Sequence, residues 1–331
     1  MACEEAPYDE TKTRYQELTS TVPAGGNPAE DMYKYQGFWY PKVFLEGIIS
    51  AQDNFKAKPT DIILCSAPKT GFTWLKALCY AIVTRTLFDE FKSPLLSNLS
   101  HFLVPFLEID FAESPPHREP QLPLLSTHLP FTSLPESIKE TPCRIIYICR
   151  EPKDTFVSLW HYLKRVVENT ESEKMLKIED QLDMFCKGKS PWGPYWDHVL
   201  GYWTASLEMP EKIMFLKYED LKNQTPFFVK EIANFMGKPF SVEEELDGLP
   251  EKTAKFCNFE SMSSLEVNKC EKFRPRGPVE IMNSAFFRKG TVGDWRNYLT
   301  SEMIAKLDHI TNEKLRGCAL EFGSSDLGSS Q

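Results

Sequence analysis

The sequence predicts a doubly wound α/β fold, in which a central parallel sheet is flanked by helices on both faces, within one domain spanning residues 31–320. Three observations predict it. Short apolar runs rich in β-branched residues, Ile62–Ser66, Leu124–Thr127, Arg144–Cys149 and Lys212–Tyr218, have the composition of parallel strands buried on both faces. Segments with helical spacing of apolar residues alternate with them: Trp74–Thr86 after the first run, Asp154–Val167 after the third, Tyr195–Leu207 before the fourth. The third observation is continuity. At ~150 residues per domain, 331 residues allow two domains, but nothing linker-like separates Glu30 from Leu320. Residues 1–30, polar and holding Gly25-Gly26-Asn27-Pro28, read as a loosely attached arm, and residues 321–331 as a tail that frays.

Composition narrows the partners. The net charge of −9 argues against nucleic acid or an anionic membrane surface as a partner, while leaving room for a small anion site built from a few local cations. No stretch reaches the ~18 uncharged apolar residues that a membrane helix needs, and the charged N-terminus does not resemble a signal peptide. The nine cysteines are scattered, form no C-x-x-C pair, and several lie in apolar runs, as Cys65 and Cys149 do. That pattern suits a reduced, cytoplasmic protein better than a disulfide framework. The sequons at Asn98 and Asn223 are then chance matches.

In a doubly wound sheet, ligands bind beyond the carboxyl ends of the strands, so the residues just after each strand are the candidates for chemistry. After the first strand comes Pro68-Lys69-Thr70-Gly71-Phe72-Thr73-Trp74. Gly71 permits close backbone approach, the first helical N–H groups around Phe72, Thr73 and Trp74 point outward, and Lys69 adds a full charge. Such a loop suits a phosphate or sulfate. The plainer alternative is a strand–turn–helix junction with Thr73 as N-cap. It is not a Walker loop, because Ser66 stands where the first glycine belongs and Lys69 precedes Gly71.

After the second strand, Thr127-His128-Leu129-Pro130 places a histidine suited to proton transfer, unless it is structural. The third strand ends at Arg150, eight residues before Ser158, with Asp154 as the expected N-cap. A guanidinium beside a helix start and a hydroxyl make a second anion site. The alternative for Arg150 is an ion pair with Glu151 or Asp154. Late in the chain, Arg288-Lys289-Gly290 follows an Arg/Pro/aromatic stretch and either closes over a phosphate or is a solvated charge pair. No His/Cys spacing suggests a metal site.

The order and spacing of these pieces resemble the cytosolic sulfotransferase family over about residues 35–315. The first loop is similar to that family's P-K-[ST]-G-[TS]-T-W, and Arg288 to Trp295 to its R-K-G-x-[VS]-G-D-W. Phe38-Trp39-Tyr40 and Leu265-Glu266-Val267-Asn268 resemble the plant branch. The resemblance implies a P-loop-like sulfotransferase fold and sulfuryl transfer from 3′-phosphoadenosine-5′-phosphosulfate (PAPS), leaving PAP, to a small hydroxylated acceptor, without a metal. It implies that Lys69, Thr70, Gly71, Phe72, Thr73 and Trp74 hold the phosphosulfate, with the Trp74 indole against adenine. Arg150, Ser158, Arg288, Lys289 and Gly290 would take the 3′-phosphate. Tyr218, Cys257, Asn258 and Phe259 would complete the nucleotide pocket. His128 would be the base and Lys69 would neutralise the leaving phosphate.

Several positions depart from the pattern. Phe72 replaces a small hydroxyl residue, Cys257 a common threonine, and Ser126 a lysine of animal members. The animal dimer signature survives only around Arg296 and Thr300, so a monomer or weak homodimer is expected. Trp39, Tyr40 and the run His101–Phe111 are expected to wall an acceptor pocket for a flat or hydrophobic alcohol, such as a flavonoid, steroid or hydroxyjasmonate. Two other functions compete: a catalytically weak PAPS/PAP-binding protein, and a P-loop phosphotransferase.

Overall fold

The computed structural model describes residues 15–16, 32–88, 91–110, 122–168, 176–273 and 281–322. A short antiparallel hairpin, β1 (Met32–Tyr35) and β2 (Phe38–Pro41), leads into the helix Lys42–Asn54. The four apolar runs then form one parallel sheet from β3 (Ile62–Ser66), β4 (Leu124–Thr127), β5 (Arg144–Cys149) and β6 (Ile213–Lys217), in the spatial order β4-β3-β5-β6. Strand alternation explains why both faces are covered. Ile62, Leu64, Ile146, Ile148 and Leu216 enter one hydrophobic core, while Ile63, Cys65, Ile145, Tyr147 and Cys149 enter the other. Each fully buried aliphatic side chain in these two cores contributes about 1.5–3 kcal/mol relative to exposure.

The helices Phe72–Thr84, Pro152–Val166 and Tyr195–Glu208 match the three expected segments, with two of them starting two residues early. The first begins at Phe72 because Gly71, in the left-handed region at φ 101°, turns the chain directly out of the loop. The second begins at Pro152, whose fixed φ suits the first helical position. This corrects the capping assignment. Glu151, not Asp154, is the N-cap, and its carboxylate accepts the Asp154 N–H at 2.9 Å. At the far end, Tyr218 opens a helix (Tyr218–Asn223) and does not close β6.

The chain leaves β3 for neighbours on opposite sides, β4 and β5. The switch point, and the crevice it makes, therefore lie where β3 and β5 end. The eight described cysteines, Cys65, Cys79, Cys143, Cys149, Cys186, Cys257, Cys270 and Cys318, are free. Among the described residues, no helix is long and apolar enough to cross a membrane. The expected arm, apart from residues 15–16, lies outside the described residues, as do the tail beyond residue 322 and Phe111.

Candidate active site

A cavity of about 560 Å³ opens beyond the strand ends and is lined from all four strands: Lys69 and Gly71 after β3, His128 after β4, Arg150 after β5 and Tyr218 after β6. One part of its wall is cationic and aromatic, the other largely apolar.

The loop after β3 begins the cationic part. Lys69 adopts φ 70° and Gly71 φ 101°, so the chain doubles back tightly before the helix. The first intrahelical bonds run from the Trp74 and Leu75 amides to the Gly71 carbonyl. The amides of Phe72 and Thr73 are thus left at the open end of the helix. Tyr218 closes the loop from below: a Cβ on Gly71 would stand 2.5 Å from the Tyr218 ring. The Lys69 ammonium lies over the Tyr162 ring, 4.3 Å from its centroid, and donates to the Ala285 carbonyl at 3.4 Å. Burial, with the Arg288, Arg150 and Arg165 guanidiniums nearby, pushes its pKa down to about 7.

Arg150 and Arg288 both line the cavity within electrostatic reach of Lys69. Arg150 is 5% exposed, packs 4.5 Å over the Tyr218 ring, and donates from Nη2 to the Thr291 carbonyl at 2.6 Å. Its second partner is Asp154, at 3.4 Å. The anion-site and ion-pair readings of Arg150 therefore coexist. Arg288 and Lys289 both pair with Asp294, whose carboxyl they hold far below the usual carboxylate range. Gly290 sits at φ 63°, and a Cβ there would stand 2.5 Å from the Phe259 ring. Ser158, Cys257 and Phe259 line the same wall.

Among the described residues, three buried donors on this wall, Arg150 Nε, Arg288 Nε and the Trp74 indole N–H, have no hydrogen-bond partner. Buried donors without acceptors are costly, and two guanidiniums, a lysine and an indole are the groups that suit a nucleotide with two anionic ends. The donor set therefore fits such a ligand. Two candidate side chains turn elsewhere. The Thr70 hydroxyl lies within hydrogen-bond reach of the Ala67 and Ile148 carbonyls, at 2.9 and 3.0 Å, and fixes the loop. Asn258 caps the helix Phe259–Ser264 by accepting the Ser261 N–H at 2.7 Å.

His128 lies between the two parts. Its Nδ1 is 2.7 Å from the Ser66 carbonyl oxygen, an acceptor only, so Nδ1 carries the hydrogen and Nε2 keeps a lone pair. Its amide donates to Glu108 Oε1 at 2.5 Å, and its carbonyl accepts from His198 Nε2 at 2.9 Å. The His198 tautomer is fixed in turn by the Tyr147 hydroxyl, which donates to Nδ1 at 2.9 Å. Burial pushes the His128 pKa down to about 3, so the ring is neutral at ordinary pH. Sequence reasoning missed Glu108 and His198. The one available signal was a histidine inside the apolar stripe of Tyr195–Leu207.

The apolar part corrects the expected acceptor wall. Tyr40 is fully buried, with its hydroxyl 3.4 Å from Ser133 Oγ, and neither it nor Trp39 lines the cavity. Strand alternation in β2 turns Tyr40 inward, and the wall is supplied by Pro41–Phe44 instead. His101, Phe106 and Ile109 do line it, as expected. Phe72 is 4% exposed and packs on Phe106 and His128, with its side chain in the core.

Known proteins resemble this chain over most of its length. Residues 59–319 match the model of the sulfotransferase domain family. Cytosolic sulfotransferase 16 of Arabidopsis thaliana is 46% identical over 318 residues, covering 95% of this chain and 94% of the relative. A flavonol sulfotransferase-like protein of Flaveria bidentis is 52% identical over 290 residues, covering 87% and 92%. The crystal structure of mouse sulfotransferase SULT7A1 complexed with PAP superposes with a TM-score of 0.64 at 27% identity, covering 87% of this chain and 95% of that one.

Proposed function

The chain belongs to the sulfotransferase family, and on that premise we propose that it transfers the sulfuryl group of PAPS to a hydroxyl of a small hydrophobic metabolite in the cytoplasm. The acceptor class is a flat or apolar alcohol of the flavonoid, steroid or hydroxyjasmonate kind. The observation that carries the mechanism is the His128–Ser66 hydrogen bond, which commits Nδ1 as donor and leaves Nε2 as a neutral base at the cavity wall.

The co-substrate supplies an activated sulfuryl group on a phosphate leaving group. The protein's part is positioning and charge neutralisation, as in phosphoryl transfer. Arg150 and Ser158 hold the 3′-phosphate from one side and Arg288, Lys289 and the Gly290 backbone from the other. Trp74, Tyr218, Cys257 and Phe259 enclose the base. The amides of Phe72 and Thr73, with the Thr73 hydroxyl, hold the 5′-phosphosulfate oxygens, and Lys69 neutralises the oxygen that leaves.

His128 Nε2 takes the proton of the acceptor hydroxyl. The freed oxygen forms the new S–O bond, the old S–O bond breaks, and its electron pair stays on the phosphate of PAP. Identity to a flavonol sulfotransferase-like relative supports a polyphenolic acceptor, and the PAP complex of the mouse structure supports the nucleotide.

A panel of flavonols, sterols and hydroxyjasmonates incubated with labelled PAPS tests this. A sulfated product from at least one class is expected, lost in Lys69→Ala and His128→Ala. Turnover surviving both substitutions would overturn the mechanism. A nucleotide-induced thermal shift with no product from any acceptor would select a binding protein instead.

A further inference from the structure

Close to His128, against two rings that also touch it, the protein buries a second lysine that the mechanism above does not use. Lys76 lies in the second turn of the helix Phe72–Thr84 and is fully buried. Its ammonium sits 4.2 Å from the centroid of the Phe106 ring and 4.9 Å from that of Phe72. Among the described residues it makes one hydrogen bond, to the Val104 carbonyl, long at 3.5 Å. The same two rings grip the imidazole, with centroids 5.0 Å (Phe106) and 4.8 Å (Phe72) from that of His128. A charge carried into the interior on two aromatic faces, with so little hydrogen bonding, is expensive to keep unless something uses it.

We propose that Lys76 is a positioning residue for His128: its ammonium, seated on the two rings that hold the imidazole, disfavours a second buried cation there and so weakens the ring's hold on the proton it takes from the acceptor. The proposal rests on the reading of His128 as base.

Burial is the largest influence on the His128 ring, and other groups face it besides Lys76. Lys69 faces it from the loop after β3 and His198 from the helix Tyr195–Glu208, both opposing a positive ring, and His101 lies within electrostatic reach. The carboxyl of Glu108 faces both His128 and Lys76 from the short helix Leu107–Asp110, and Asp110 also faces Lys76. Burial pushes Glu108 up to about 7 and Lys76 down to about 7. Below that pH Glu108 is neutral while Lys76, like Lys69, is charged, so Lys76 adds a buried positive charge close to the base. A cation there opposes a second cation on His128 and drives the captured proton onward to solvent after transfer.

The test is Lys76→Met, which keeps the length of the chain and removes the charge, with Lys76→Gln as a second variant. Nitrogen-detected spectra of the imidazole rings, recorded from pH 2 to 8, follow His128 directly and need no turnover. In both variants the His128 midpoint is expected to rise by about 1 pH unit. The acid limb of kcat/KM should move with it, while PAP affinity stays within about twofold of the wild type. An unchanged His128 midpoint in a variant that still binds PAP would overturn the proposal. A purely structural lysine would lower Tm and leave the midpoint in place. If His128 proves not to be the base, the acid limb does not follow the ring, yet the midpoint still reports whether Lys76 controls it.

Discussion

The carboxylate of Asp154 accepts the backbone N–H of Gly293 at 2.7 Å, across 139 residues of sequence. Its other oxygen accepts the Trp295 N–H at 3.1 Å, and Arg150 lies 3.4 Å away. One fully buried side chain thus joins the end of β5 to the loop that carries Arg288 and Lys289. The two halves of the proposed 3′-phosphate site are held in register by this link. Asp154→Asn keeps one acceptor but removes the charge, and hydrogen bonds to charged groups are worth about 1.5–3 kcal/mol. A PAP dissociation constant raised roughly tenfold is expected by calorimetry, with the Pro152–Val166 helix intact because Glu151 caps it.

Lys69 makes nucleotide binding depend on pH. Its pKa is pushed from 10.5 down to about 7 in the free protein, and an adjacent phosphate restores the charged form. At pH 8 the free amine is mostly neutral and must take up a proton on binding, whereas at pH 6 it already carries one. Calorimetry in buffers of different ionisation enthalpy should show proton uptake on PAP binding that is larger at pH 8 than at pH 6. Lys69→Met should abolish the difference. The same shift affects stability. Between pH 7 and 10.5 the unfolded chain holds the proton that the folded chain has lost, so this residue's contribution to folding improves as pH rises through that window.

Gly71→Ala should fail at the loop. The position needs φ 101°, and a Cβ would overlap the Tyr218 ring at 2.5 Å. The left-handed backbone alone costs about 1–2 kcal/mol for an L residue. A Tm lowered by several degrees is expected, together with loss of the PAP-induced thermal shift, because the ring that must yield belongs to the nucleotide wall.

Much of the architecture was legible because strand and core coincide here. Ile145, Ile146, Tyr147 and Ile148 are all fully buried, alternating between two cores, so β5 reads as an unbroken apolar run. The strand-end rule then located Lys69, His128 and Arg150 as candidates without any coordinates, and the family resemblance added Tyr218. Polar residues whose partners are distant in sequence were not legible. Asp154 has the composition of an N-cap, and only the folded chain shows that its acceptors serve Gly293 and Trp295. Glu108, Lys76 and His198 sit within apolar stretches, where sequence shows their oddity but not that all three surround His128. Tyr40 was misplaced because the parity of a four-residue strand is set by the packing of its neighbours.

Phe72 shows the same limit from the other side. It occupies the position of a lost hydroxyl, and its ring is seated on Phe106 and His128. Phe72→Thr should therefore not improve the enzyme. Removing a buried aromatic ring costs about 3–5 kcal/mol, and the imidazole loses one wall. Lower denaturation temperature and lower kcat are expected, with no gain in PAPS affinity. A variant with tighter PAPS binding and unchanged kcat would show that the ring obstructs the phosphosulfate loop.

The central claim is that His128 performs the chemistry while the loops after β3 and β5 and the Arg288–Gly290 segment perform the binding. Single-turnover sulfuryl transfer by His128→Asn, measured beside PAP calorimetry on the same protein, separates the two. The account predicts an unchanged PAP dissociation constant and transfer slowed by about 10²–10⁴-fold. Transfer within a few-fold of the wild type by a variant that binds PAP normally would contradict it.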